Sequence, residues 1–231
     1  MTIHAPVTPF SRQLREATWA RHESVDPTGD DADEAAGDDE PGILAALLDG
    51  ELHLDDYAAM SGQLYFVYKA LDEASRLWRD DPVAGPFVDP KLSRLTAIDA
   101  DMTLLRGKDW RDSLDPLPST CRYLTRLGEI DSAGSFVAHH YTRYLGDLSG
   151  GQAFRAAANA TYGFADGAGV KLYIFDGIAD GAAYKQQYRR ELDNANWDAR
   201  QRERIIDEVL DAYDFNEAIL CELSKTMKRS V

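Results

Sequence analysis

Apolar residues recur at helical spacing along almost the whole of this 231-residue chain, while the alternation that marks a half-buried strand is nearly absent. That periodicity predicts an all-α fold. Length alone allows one substantial core or two small ones, and the unbroken run of helical segments favours a single helical domain spanning 1–231. No internal repeat interrupts it.

Start and stop residues place the helices. Thr8 and Pro9 form a capping hydroxyl followed by a proline at the first helical position, and Leu14, Thr18, His22 and Val25 then fall on one stripe, up to the break at Pro27 and Gly29. Residues 26–42 carry eight of the chain's 40 acidic residues, no Lys or Arg, and no periodicity, which reads as an acidic flexible loop inserted in the domain. A short helix is predicted at Ile43 to Leu48, and a longer one capped by Asp55 or Asp56 runs through Leu77. Pro82 to Pro90 breaks the pattern. Further helices are expected at Lys91 to Leu105, Ser119 to Glu129, Ser132 to Tyr162 with Gly163 as its stop, Ala182 to Asn194, and Asp198 to Lys225. The last has Ile206, Val209, Leu210, Tyr213, Ile219, Leu220 and Leu223 as its apolar face.

Charge and cysteine content narrow the function. A net charge of -15 excludes the broad phosphate neutralisation that non-specific nucleic-acid binding needs. Cys121 and Cys221 stand far apart without metal-ligand spacing, so they are read as buried thiols of a reducing compartment. The first ten residues lack a basic and an apolar leader region, and no apolar run approaches the ~20 residues of a membrane span, so no membrane anchor and a cytoplasmic location are expected.

The most informative stretch puts Gly146, Gly150 and Gly151 inside the predicted Ser132 to Tyr162 helix. Each glycine costs roughly 1 kcal/mol relative to alanine in a helix interior. The four-residue step from Gly146 to Gly150 places two gaps on one face, a strip where a flat ligand could lie; close packing of another helix there is the competing explanation, which spacing does not decide.

The stretch Tyr141 to Gln152, YTRYLGDLSGGQ, resembles the distal-helix signature of the haem oxygenases residue for residue. Other segments agree in order: Leu14 to Glu23 (LREATWARHE) resembles the proximal helix, Leu64 to Glu73 (LYFVYKALDE) the segment with the distal-pocket tyrosine, Tyr184 to Arg189 (YKQQYR) the propionate clamp, and Ala212 to Asn216 (AYDFN) the closing helix. The resemblance covers about residues 10 to 225 apart from the acidic segment.

It implies a fold in which haem lies between the proximal and distal helices, and O2- and electron-dependent cleavage of haem b, both substrate and cofactor, to biliverdin, CO and ferrous iron. His22 becomes the iron ligand, since neutral imidazole suits haem iron and leaves the other axial position for O2. The resemblance makes Asp147 the organiser of distal waters, with Tyr68 and Arg143 in the same polar network, and sets the main chain of Gly146 and Gly150 against the iron. Arg15, Lys185 and Arg189 are implied to hold the propionates, and Tyr141 and Tyr213 to contact haem. Lys185 and Arg189, four apart, share a helix face.

The chain departs from the family pattern in three places. Trp19 stands where some members have a further lysine, Asp26 replaces the usual Glu four residues after the proximal histidine, and the following connection is about a dozen residues longer. His139 and His140 are assigned packing or hydrogen-bonding roles, and neither His4 nor His53 is given one. Electrons are expected from a ferredoxin or flavoprotein reductase, since no dinucleotide-binding glycine motif follows a strand. Two other readings are a haem carrier that does not turn over and a di-iron bundle. The latter wants Glu-x-x-His pairs, and no His here has an acid three residues before it.

Overall fold

The computed structural model describes residues 8–25 and 42–227, the side chains of residues 20–25 excepted. The described chain folds into α1 (Phe10–Val25), α2 (Ile43–Leu48), α3 (Leu54–Trp78), α4 (Leu95–Arg106), α5 (Pro118–Gly128), α6 (Ala133–Asp147), α7 (Gly151–Tyr162), α8 (Gly181–Asn194) and α9 (Ala199–Ser224), joined by short 3-10 turns, with no strand among the described residues. No described helix is long and apolar enough to cross a membrane. The acidic insertion, Asp26 included, lies outside the described residues.

Local chemistry explains the starts. Pro9 O accepts from the backbone N–H groups of Arg12 and Gln13, opening α1. Ser132, Asp180 and Asp198 cap α6, α8 and α9 through side-chain oxygens, Asp198 as half of a reciprocal capping box with Gln201. Elsewhere the boundaries differ from expectation. His53, not Asp55 or Asp56, is the N-cap of α3, and the two acids sit in its first turn, where the positive end of the helix dipole favours them. Residues 90–92 form a separate 3-10 turn, so α4 begins at Leu95. Cys121 and Cys221 are exposed, not buried, on the outer faces of α5 and α9.

The apolar side chains gather into two clusters that meet at α6. One is built mainly from α2, α3, α4, α5 and the segment around Leu172, and takes Tyr144 and Leu148. The other joins α1, α8 and α9 to the opposite stripe of α6, Phe136, Val137, Tyr141 and Leu145. α6 lies along α9 and is therefore sealed on most sides. Leu14 and Thr18 are buried as the stripe on α1 predicts. Ser11 fixes that helix to α8 by donating its backbone N–H and hydroxyl to Asp193, at 2.7 and 3.0 Å. On α9 the buried stripe is Ile205, Val209, Ala212, Asn216, Ile219 and Leu223. It is rotated from the predicted face, leaving Ile206, Leu210, Tyr213 and Leu220 half-buried.

His140 sits in the second cluster's polar seam, fully buried, its Nδ1 3.0 Å from the Tyr188 hydroxyl. Burial holds its pKa down, from the usual 6.5 to about 3. The unfolded chain therefore binds the extra proton between those values, and stability falls as pH drops through that window, by up to about 1.4 kcal/mol per unit. In His140→Phe, urea unfolding should show a loss of about 1–3 kcal/mol near neutral pH from the orphaned Tyr188 hydroxyl. That loss should shrink as pH falls from about 6 to 4. A difference between the two proteins that stays constant over this range would contradict the assignment.

Candidate functional site

The last turn of α6 carries Asp147, which is 2% exposed. An isolated carboxylate there would be costly, both because it leaves water and because the C-terminal end of a helix is the negative end of its dipole. Three neighbours offset that cost. Tyr68, buried on α3, donates its hydroxyl to Asp147 Oδ2. Arg143, one turn back on α6, donates through Nε to Oδ2 at 3.3 Å and through Nη2 to Oδ1. Asn216 on α9 accepts from Arg143 Nη1 at 3.1 Å, and its own amide donates to Ala212 O at 2.6 Å. The three predicted members of one polar network, Tyr68, Arg143 and Asp147, are thus in direct contact.

The electrostatics follow from burial and pairing. Burial pushes the Tyr68 phenol well above its ordinary range; the charge of Arg143 opposes this and Asp147 adds to it. Arg143 is desolvated, yet Asp147 and Tyr68 outweigh that and raise its pKa, so it stays a cation. A second guanidinium, Arg94, lies close enough to feel Tyr68 and Asp147. Its own hydrogen bonds go to the carbonyls of Leu92, Ile174 and Lys91, at 2.9, 2.6 and 2.8 Å.

Sequence reasoning missed Arg94 and the role of Asn216. A signal existed for Asn216, which interrupts the apolar register between Tyr213 and Ile219. For Arg94 there was none, because its partners are backbone carbonyls, two local and one 80 residues away at Ile174, which leave no residue-type pattern.

Beside the network a cavity of about 100 Å³ opens between α3, α6, α7 and α9, with Met60, Leu64, Phe154 and Ile219 as apolar walls and Arg143, Asp147 and Asn216 as its polar end. Gly146, Gly150 and Tyr213 also line it. The predicted helix Ser132 to Tyr162 is in fact two, α6 and α7, with Gly150 as the N-cap of the second. Ser149 N–H reaches back three residues to Gly146 O at 3.0 Å, a tightened turn at the junction.

The glycines do different jobs. A Cβ on Gly151 would come 3.0 Å from the Tyr173 ring, so there the small residue serves packing. A Cβ on Gly146 would meet nothing within 4 Å, and the residue is exposed. Close packing of a neighbour therefore does not explain Gly146, whereas a group lying along the helix does.

At the outer end of the same region, Tyr141 is buried, and burial raises its pKa against the opposing charges of Arg189 and Arg15. Both predicted anion-binding arginines are thus near it. Lys185 donates to Ser149 Oγ at 2.9 Å, bridging α8 to the α6–α7 junction, and its pKa is lowered by partial burial and then by Arg189. Arg15, Lys185, Arg189 and Tyr141 form a cationic, phenol-bearing rim suited to carboxylates. His22 lies in α1 one turn beyond buried Thr18; its side chain is outside the described set. Trp19 is 52% exposed on the same helix.

The family model described as Heme oxygenase matches residues 8–222. The heme oxygenase 1 of the cyanobacterium Synechocystis is 30% identical over 224 residues, covering 96% of this chain and 88% of that protein. The heme oxygenase 1 of Gallus gallus is 30% identical over 225 residues, 96% of this chain and 72% of that protein. Among solved structures, the crystal structure of the Synechocystis heme oxygenase-1 in complex with heme superposes with a TM-score of 0.83 at 30% identity, over 95% of this chain and 94% of that one. The heme oxygenase of Leptospira interrogans gives 0.81 at 26% identity, over 93% and 100%.

Removing one partner of a buried pair costs more than removing both. Asp147→Leu should destabilise the protein by about 3–5 kcal/mol, because Arg143 is left uncompensated, and Arg143→Met by a comparable amount. The double variant should lose less than the sum of the two in urea unfolding, a coupling of about 1–3 kcal/mol. Additive losses would mean that the two side chains do not stabilise each other.

Proposed function

The chain belongs to the haem oxygenase family, and from that we propose the roles its own residues play in opening the haem ring to biliverdin, carbon monoxide and ferrous iron. Haem is substrate and cofactor together, supplying the iron that engages O2 and the carbon framework that is oxidised. The cleft fits such a group in its chemistry. It offers a bare strip at Gly146, apolar walls, a polar end at Asp147 and a cationic rim at Arg15, Lys185 and Arg189.

We assign His22, carried by α1, as the residue that would ligate the haem iron. Gly146 and Gly150, lacking Cβ atoms, would let the bound group approach the main chain. Tyr141 and Tyr213 would contact the haem, and Arg15, Lys185 and Arg189 would hold its carboxylates. Asp147, which accepts from both Arg143 and Tyr68, retains a lone pair with which to accept a hydrogen bond from water in the cavity. Protons then arrive through ordered water and not from a strong acid placed against the reacting oxygen. Tyr68, whose pKa is raised, stays a neutral donor to Asp147. Arg143 keeps that carboxylate from turning away.

Electrons come from outside, from a ferredoxin or flavoprotein reductase, in keeping with a cytoplasmic enzyme. The cationic rim is where an acidic donor would approach.

The observation that carries this reading is the open space at Gly146. In the haem-free protein Gly146→Ala should be neutral or stabilising, by up to about 1 kcal/mol in thermal unfolding, since alanine is the better helix former and its methyl meets nothing. After reconstitution with hemin and a reductant, the same variant should bleach the Soret band and form biliverdin more slowly than wild type. In parallel, His22→Ala should lose the wild-type axial ligation in its absorption and resonance Raman spectra. Unchanged ligation in His22→Ala overturns the proximal assignment, and full turnover by Gly146→Ala overturns the glycine strip.

A further inference from the structure

One face of α8 meets the chain between α6 and α7. Gly181, Lys185 and Arg189 follow one another at steps of four and share that face. A Cβ on Gly181 would lie 3.7 Å from Leu148 Cδ2 and 3.8 Å from Leu148 O, so the first turn of α8 is seated against the break after α6. One turn on, Lys185 Nζ donates to Ser149 Oγ at 2.9 Å. A further turn on, the charge of Arg189 reaches Tyr141, whose ring centroid is 6.2 Å from that of Tyr188. α8 therefore runs along the end of α6, with two cations following its small first contact.

The hydrogen of the Ser149 hydroxyl is committed within its own helix end. It goes to Leu145 O at 2.8 Å, which leaves the oxygen to accept from Lys185. The backbone N–H groups of Ser149 and Gly150 both donate to Gly146 O, at 3.0 and 2.9 Å. Ser149 thus joins the tightened turn at Gly146 to a side chain of another helix. At the other end of this bond the Lys185 ammonium is half-buried, and its pKa is lowered by burial and then by Arg189. No carboxylate lies in ion-pair range of it among the described residues. An ammonium carries three hydrogens, of which Ser149 takes one. A partly desolvated cation with donors to spare and no counter-ion gains more from a carboxylate than a fully solvated one does.

We infer that Ser149 is a positioning residue that aims the Lys185 ammonium at a substrate carboxylate, and that the Lys185–Ser149 bond ties capture of that carboxylate to the turn between α6 and α7. Hydroxyl and carboxylate can be held together, since they use different hydrogens of the ammonium. Lysine is a flexible four-carbon arm, and the hydroxyl limits the arc it sweeps, so less freedom is lost when the carboxylate arrives. The turn is affected in return, because a Lys185 fixed at both ends holds Ser149 from outside its own helix. The inference rests on Lys185 holding a haem carboxylate, as proposed above.

Hemin and hemin dimethyl ester, in which both carboxylates are masked, separate the parts of the claim. In Soret titrations the wild type should bind hemin about tenfold more tightly than the diester. Ser149→Ala should cut that ratio about threefold at unchanged affinity for the diester, and Ser149→Thr, which keeps a hydroxyl, should restore it. In Lys185→Met the ratio should already be reduced, and adding Ser149→Ala should reduce it no further. In hydrogen exchange of the haem-free protein, the amides of Ser149 and Gly150 should exchange about threefold faster in Lys185→Met, which leaves the bond from Ser149 to Leu145 in place.

A full hemin-to-diester ratio in Ser149→Ala overturns the inference, as does an equal effect of Ser149→Ala with and without Lys185. Unchanged exchange in Lys185→Met overturns the tie to the turn. A wild type that binds hemin and the diester alike overturns the carboxylate role of the rim as well. His22→Ala reads the iron ligand by its spectra, so the haem site can stand while this inference falls.

Discussion

A buried carboxylate at the negative end of a helix is the constraint around which the centre of this molecule is arranged. Asp147 ends α6, where its backbone dipole opposes an acid, and it is nearly cut off from water. It is tolerable there only because Arg143 and Tyr68 both donate to it. Those two in turn set which helices must meet: α3 has to bring Tyr68, and α9 has to bring Asn216 to the remaining Arg143 hydrogens. The close run of α6 along α9 is thus both an apolar contact and the frame of a polar one.

The same helix end gives up regularity to gain access. Gly146 stands beside Asp147 with open space before it, and the chain breaks at residues 148–150 before α7 resumes. Glycine weakens a helix, so a break is easier here than elsewhere along its length. What the break achieves is a main-chain surface next to a charged side chain whose direction is fixed. Gly151 shows the contrast, since its missing Cβ is filled by Tyr173 and serves only packing.

Much of this is legible in the sequence because it is local. Periodicity locates most of the helices, the resemblance around YTRYLGDLSGGQ points to Arg143 and Asp147, and that around LYFVYKALDE points to Tyr68. What escaped was non-local or a matter of phase. The helix Ser132 to Tyr162 was read as continuous because a short turn leaves the apolar spacing nearly in register. The large apolar residues of α9 point to a face rotated from the buried stripe, because Ala212 and Asn216, both buried, are not large apolar residues. The cysteines were read as buried on average behaviour, which the outer faces of α5 and α9 do not follow. Arg94, held by three carbonyls, has a position that only the folded chain defines.

Charge is distributed in a way the total of -15 conceals. The cationic side chains Arg15, Lys185 and Arg189 gather at the Tyr141 end of the proposed haem cleft, whereas the separate cavity at the start of α6 is lined by Glu129, Asp131, Asp207, Glu208 and Asp211 with Arg126 and Arg204. At physiological ionic strength a charge is felt over about 8 Å, so an approaching protein responds to the patch in front of it and not to the sum. An acidic protein surface would accordingly be drawn to the rim and repelled from the other cavity. Bound carboxylates at the rim would neutralise part of that attraction. The rim cations of the proposed cleft would therefore meet two demands at once, holding bound carboxylates and attracting an acidic surface.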